Sequence, residues 1–246
     1  MNHRHLFLIG AQRSASTLLA SLLDQHPQID FIKPWRPEPK AYLGDPIDHD
    51  EYDARWFARF QPSTVWAEKT TSYMSNPAAA TRMATQHPSA TVVAILREPV
   101  ARAISNFRFS VDNGLETRPA EVALDPDTRL GARDLGISAH PHDYLGRSRY
   151  VEALQPWVNA FGHRSVHLFF TEEIAASTHT ARRLFDQLDI DNRFRWTIPD
   201  DPMNASTSSS PELSPCLLER LAHYFAPWNA ALAECIELPT AWAEGS

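Results

Sequence analysis

The chain has 246 residues, 43% of them hydrophobic, and a formal net charge of −7. That is enough apolar material for one large α/β domain, expected over residues 1–246, and too acidic a balance for a nucleic-acid coat or a membrane-surface binder. Two cysteines, Cys216 and Cys235, have neither metal-ligand nor Cys-x-x-Cys spacing, and the few apolar residues after Met1-Asn2-His3-Arg4-His5 are too short for a secretion signal or a membrane span, so the expected address is the cytoplasm.

The first predicted element is a buried strand in Leu6-Phe7-Leu8-Ile9, stopped at Gly10. A small-residue turn follows, Ala11-Gln12-Arg13-Ser14-Ala15-Ser16-Thr17, and then a helix over 16–25 with Leu18, Leu19, Leu22 and Leu23 at helical spacing. Strand, tight turn and helix N-terminus in that order make an anion site, because free N–H groups and the helix dipole favour a phosphate. The nucleotide-binding P-loop, G-x-x-x-x-G-K-[ST], fails at two of its four fixed positions, which hold Ala15 and Ser16 here. The cation is Arg13, inside the turn, where it would lie beside the terminal group of a bound anion.

His26-Pro27 ends the helix, and Gln28–Ile32 reads as a short second strand. The proline-rich stretch 33–43 is a stiff extended loop at the carboxyl edge of the sheet, where α/β proteins bind ligands, and it makes Glu38 a candidate catalytic base. Five acids between Asp45 and Asp53 begin a solvated loop and a helix running to about Phe60. Val65-Trp66-Ala67 is a strand leading into a second cation-and-hydroxyl turn, Glu68-Lys69-Thr70-Thr71-Ser72-Tyr73, and a helix follows over 76–86.

Val92–Leu96 is an uninterrupted β-branched run, the mark of a buried parallel strand. The helix from Pro99 places Val100, Ala103, Ile104, Phe107 and Val111 on one buried stripe, with Arg102, Ser105 and Phe109 on a neighbouring face. Where a metal-dependent NTPase would end this strand in aspartate, Arg97 stands. A cation at a helix start calls for an anion to neutralise it. Residues 113–142 are poorly periodic and read as a lid with short helices, so that 34–60 and 107–148 are the expected lid and acceptor-recognition segments. One helix is expected from Tyr144 to Phe161, a strand over 165–170 and a helix over 176–188. A polar loop around Asn204–Ser210, closing helices over 213–225 and 228–236, and a frayed end complete the chain. The fold class is therefore α/β: three layers, with a central parallel sheet of about five strands flanked by helices and a P-loop-like phosphate-binding unit.

In Gly10–Thr17 and in Leu96-Arg97-Glu98-Pro99-Val100-Ala101-Arg102-Ala103-Ile104-Ser105 the chain resembles the sulfotransferases that use 3′-phosphoadenosine 5′-phosphosulfate. Glu68–Tyr73 is similar to a Glu-Lys-Thr-Pro-x-Tyr turn of the Golgi carbohydrate branch and its bacterial relatives, and Tyr150, Leu154, Trp157 and Phe161 match that branch's Tyr-x-x-x-Leu-x-x-Trp-x-x-x-Phe helix. The resemblance implies that Gln12, Arg13, Ser14, Ala15, Ser16 and Thr17 line the 5′-phosphosulfate, with Arg13 on the bridging oxygen, and that Arg97 and Ser105 hold the 3′-phosphate. Asn204 and Ser206 fit a variant of the late loop over the nucleotide. Glu38 matches the acceptor-activating glutamate, with a histidine of the 113–142 segment (His140 or His142) as the other candidate base. Lys69, or Lys40, supports Arg13 on the leaving oxygen. Lys40, Tyr42, Ser72 and Tyr73 are candidate acceptor contacts. Lys40 stands where the family has a histidine, Thr71 where it has a proline, and Ala15 where it has a glycine. The implied reaction is metal-free in-line sulfuryl transfer to a hydroxyl or amine of a small-molecule or carbohydrate acceptor, with no nucleic-acid or membrane partner. The rivals are a P-loop-type nucleotide or adenylyl-sulfate kinase and a non-catalytic nucleotide-binding module.

Overall fold

A computed structural model describes residues 4–60, 64–127, 142–174, 179–198 and 213–242. Two compact units divide the chain: Met1–Leu96 with Ala153–Met203, and Arg97–Glu152 with Asn204–Ser246.

The first unit holds a five-stranded parallel sheet. Its strands are β1 (His5–Gly10), β2 (Ile29–Phe31), β3 (Val65–Lys69), β4 (Thr91–Leu96) and β5 (Val166–Phe170), in the order β2-β3-β1-β4-β5. Every residue of β1, β3 and β4 is buried, as expected of parallel strands covered on both faces. Alternate side chains divide between the faces. Leu6 and Leu8 pack with Leu19, Leu22 and Leu23 of α1 (Ser16–Leu23) and with Ala181, Leu184 and Phe185 of α7 (His179–Gln187). His5 and Phe7 point the other way, into rings that include Tyr42, Tyr52 of α2 (His49–Trp56) and His87, which caps α3 (Pro77–Gln86). Helix, sheet and helix thus form the three layers expected. The connections after β1 and β4, which are neighbours, leave toward opposite edges of the sheet, so the topological switch point lies between them.

Three rings, His5, His49 and His87, crowd that second face, with centroids 4.3 Å (His5–His87) and 4.9 Å (His49–His87) apart. His87 Nε2 lies 2.6 Å from the Tyr42 hydroxyl, which itself donates to Gln86 Oε1 at 3.1 Å, so Nε2 is the donor and Nδ1 the bare nitrogen. Nδ1 is buried without a partner, and protonating it would bury a charge facing nothing. Burial first, and the His5 and His49 rings after it, push His87 down to about 3; Asp53 opposes them. A depressed histidine is neutral in both states above pH 6.5. Below that the unfolded chain binds the proton first, and stability falls by about 1.4 kcal/mol per pH unit toward pH 3. Urea midpoints measured between pH 7.5 and 4.5 should show this slope, and His87→Gln should flatten it; an equal slope in the variant would assign the loss elsewhere.

The second unit is helical in its described residues: α4 (Pro99–Asp112), α5 (Ala120–Ala123), a 3-10 turn at Gly146–Ser148, the start of α6 (Tyr150–Phe161) and α8 (Pro215–Ala233). Its core joins Ala103 and Phe107 of α4, Ala120 and Ala123, Tyr144, and Leu217, Leu221 and Phe225 of α8.

Several elements depart from the sequence expectation. The first helix stops at Leu23, and α2 covers only His49–Trp56. β3 extends through Glu68 and Lys69 because both find polar partners in the interior. The single helix expected from Tyr144 starts at Tyr150. Arg102 takes the Tyr144 carbonyl that a helix would have used, and a 3-10 turn carries the chain onward. α8 is one helix through Pro227, held on both sides of the proline by the buried side chains Leu217, Leu221, Phe225 and Leu232. On α4 Ala103 and Phe107 are buried as expected, Val111 is exposed, and Arg102, Asn106 and Ser110 are buried beside them. Near the end, Trp242 is buried in ring contact with Tyr150.

Candidate active site

The loop from Gly10 to Ser16 leaves β1 at the switch point. Ala11 N donates to the Ile95 carbonyl at 2.8 Å, and Thr171 Oγ1 shares its one proton between the carbonyls of Ser14 and Leu96, 3.1 and 3.0 Å away. Gly10 is required: a Cβ there would come 2.8 Å from Met74 Cβ and 3.2 Å from the Thr71 carbonyl. Arg13 and Ala15 both take positive φ, 68° and 59°, in the left-handed region where side chains are strained. Such turns present successive N–H groups to an anion. Ala15 is the N-cap of α1 and supplies no side-chain cap, whereas Asp48, Asn76, Glu98 and Ser214 cap α2, α3, α4 and α8. Ser14 is fully buried and its Oγ has no hydrogen-bond partner. A buried hydroxyl without a partner costs stability unless a ligand satisfies it, and it lies beside an uncapped helix start. Ser16 is buried, and Gln12 and Thr17 are half-buried. Replacing Ala15 by glycine should raise stability by about 1 kcal/mol by removing left-handed strain; a chemical denaturation midpoint no higher than the parent's would contradict that.

The Glu38 carboxylate is held against the same edge. Lys69 Nζ donates to Oε1 at 2.6 Å, Thr71 N to Oε2 at 3.0 Å, and Thr71 Oγ1 sits 3.0 and 3.1 Å from the two oxygens. Lys69 is almost entirely enclosed and Glu38 nearly so. The turn carrying Thr71 is tied to β1 by Thr70 N to the Leu8 carbonyl and Met74 N to the Ile9 carbonyl, both 3.0 Å. Three of the roughly four lone-pair positions of a carboxylate are used, since Thr71 Oγ1 has one proton to give. One remains for an incoming O–H or N–H.

The candidate acceptor contacts are less uniform. Lys40 is half-buried and its amide donates to Thr70 Oγ1 at 3.2 Å. Tyr42 and Tyr73 are core rings with engaged hydroxyls, and Ser72 is buried. As placed, these two tyrosines pack the interior, because the odd-numbered face of β1 needs aromatic cover.

No protein-family model matches the chain. In sequence it is similar to the bifunctional heparan sulfate N-deacetylase/N-sulfotransferase 1 of Caenorhabditis elegans, 28% identical over 173 residues, which are 69% of this chain and 20% of that protein. It is also similar to the membrane-associated sulfotransferase kil1 of Dictyostelium discoideum, 28% identical over 110 residues, 44% of this chain and 23% of that one. The chain thus spans about a fifth of the length of these curated relatives. In fold it matches the crystal structure of a sulfotransferase from Alicyclobacillus acidocaldarius, with a TM-score of 0.75 and 24% identity over 99% of this chain and 100% of that one. The sequence relatives and the fold match are thus all sulfotransferases.

The remaining site residues expected from the sequence lie in the second unit. Arg97 and Ser105 are half-buried, and the backbone of Arg97 is held by Tyr150, whose hydroxyl donates to its carbonyl at 2.9 Å. The start of α4 is capped by the chain itself: Glu98 accepts from Val100 N at 2.9 Å and Ala101 N at 2.6 Å. Glutamate before proline at a helix start is a readable cap signal that the sequence reading missed. Asn204, Ser206 and His140 lie outside the described residues. His142 Nδ1 is 3.4 Å from Glu116 Oε2. Burial opposes ionisation of Glu116, but the Arg118 side chain and amide and the Tyr144 hydroxyl outweigh it and hold the carboxyl down at about 2. His142 is thereby engaged by a standing carboxylate. Among the described residues no three His, Cys, Asp or Glu side chains are grouped as a metal would need, and no helix is long and apolar enough to cross a membrane.

Proposed function

We propose that the chain transfers a sulfuryl group from 3′-phosphoadenosine 5′-phosphosulfate to a hydroxyl or amine of a small-molecule or carbohydrate acceptor. The observation that carries this reading is the Glu38 carboxylate, fixed by Lys69 and Thr71 beside a phosphate loop that retains a partnerless buried hydroxyl at Ser14. The residues fit the donor: the left-handed turn at Arg13 and Ala15, the uncapped start of α1 and Ser14 Oγ are suited to the 5′-phosphosulfate. The resemblance gives the 3′-phosphate to Arg97 and Ser105.

Glu38 takes the proton of the acceptor as its oxygen or nitrogen bonds to sulfur. The bond from sulfur to the bridging phosphate oxygen breaks, its electron pair stays on that oxygen, and 3′,5′-adenosine bisphosphate departs. Arg13 meets the charge that develops on the leaving oxygen. Lys69 orients Glu38 and keeps two further N–H groups for the same neighbourhood.

Incubation with the donor across alcohol, amine and carbohydrate acceptors, followed by mass spectrometry, should show an added SO₃ on one class together with release of the bisphosphate. Bisphosphate binding with no product on any acceptor would favour a binding module instead, and magnesium-dependent ATP turnover a kinase. Arg97→Ala should raise the donor KM by about tenfold or more, the scale of one hydrogen bond to a charged group, with kcat little changed. An unchanged KM would remove Arg97 from the 3′-phosphate.

A further inference from the structure

Glu68 has no part in the chemistry above, yet it is fully buried on β3 next to Lys69. Its Oε1 accepts from Thr70 Oγ1 at 2.6 Å, its Oε2 accepts from the Tyr52 hydroxyl, and the Tyr73 hydroxyl also bonds to it. A hydroxyl that gives its one proton to Glu68 has only lone pairs left to offer. Thr70 Oγ1 uses one to accept the Lys40 N–H at 3.2 Å, and the Tyr73 oxygen accepts the Tyr42 N–H at 3.3 Å. Lys40 and Tyr42 belong to the irregular loop that carries Glu38, and Lys40 takes a left-handed φ of 54° there. Two amides of that loop are therefore held by hydroxyls whose direction one carboxylate sets.

We infer that Glu68 is a positioning residue for sulfuryl transfer: through Thr70 and Tyr73 it pins the segment after Glu38 and so fixes where the base stands. This rests on the function proposed above. Burial pushes the Glu68 carboxyl up, against the three hydroxyls that favour its charged form, and burial also drives Tyr52 and Tyr73 well above the usual tyrosine range. Both tyrosines consequently remain donors.

Glu68→Gln is nearly isosteric but puts an NH₂ where an acceptor was. That group donates into one lone pair of a hydroxyl and turns the hydroxyl proton away from residue 68, where it competes with the Lys40 or Tyr42 N–H for the space on the other side of that oxygen. Backbone amide exchange at Lys40 and Tyr42 should then quicken about tenfold, the worth of one hydrogen bond, and kcat should fall by about the same factor with the donor KM within about twofold. Thr70→Val should free the Lys40 amide alone, while Thr70→Ser, which keeps the hydroxyl, should restore both readouts; this pair carries the test if Glu68→Gln does not fold. Exchange and kcat both at the parental level in Glu68→Gln and Thr70→Val would overturn the pinning. Faster exchange with an undiminished kcat would overturn the positioning role. Retained turnover in Glu38→Gln would instead overturn the assignment of the base, and amide exchange would still decide whether Glu68 holds the loop.

Discussion

Glu38→Gln is expected to cut turnover by about two orders of magnitude or more, the usual worth of a positioned general base. Glutamine can still accept from Thr71 N, but it cannot take a proton from the acceptor, and its NH₂ faces the Lys69 ammonium at a site where the parent holds an ion pair at 2.6 Å. The donor KM should stay near the parental value, because the residues assigned to the phosphates are untouched. Near-full turnover would move the base elsewhere, with His142 the described candidate, although its contact with Glu116 argues for a structural duty.

The second large effect concerns stability. Arg102 is fully buried and gives hydrogen bonds to Ser148 Oγ, to the Tyr144 carbonyl, and to Asn106 Oδ1 at 3.3 Å. It clamps the 3-10 segment at Gly146–Ser148 onto α4, and burial lowers the pKa of its guanidinium. Arg102→Met would fill most of the volume but strand buried acceptors, each costing about 1–3 kcal/mol. A loss of about 3–5 kcal/mol is expected, comparable to breaking a buried charged network, and the melting temperature should fall by roughly 10 °C for a chain of this size. Calorimetry showing a shift of only a degree or two would mean that water or neighbouring side chains replace those bonds.

The parts of the fold that were legible are those where side-chain chemistry and local structure agree. β1, its glycine stop and α1 read directly from Leu6 to Leu23, and β4 from its β-branched run. β3 was cut short because Glu68 and Lys69 look like turn residues. Two of their partners, Tyr52 for Glu68 and Glu38 for Lys69, come from separate stretches of the chain. A similar reason hid the polar part of the buried side of α4, where Arg102 is bonded to Asn106, Ser148 and Tyr144. At the site, Glu38 is a candidate from its loop and its place in the α/β layout, but its pairing with Lys69 had no local signal. Glu98, whose carboxylate already serves the start of α4, takes the helix N–H groups there and leaves the assignment of Arg97 to rest on the resemblance. Of the helix residues Tyr150, Leu154, Trp157 and Phe161, the first three are buried and Phe161 is half-buried.

The most direct measurement is a crystal structure with 3′,5′-adenosine bisphosphate bound. The account predicts the 5′-phosphate within hydrogen-bond distance of Ser14 Oγ and of the amides at the start of α1, with the vacant side of the Glu38 carboxylate turned toward the position sulfur would occupy. A bisphosphate seated away from that loop, with Ser14 Oγ still unpartnered, would contradict it.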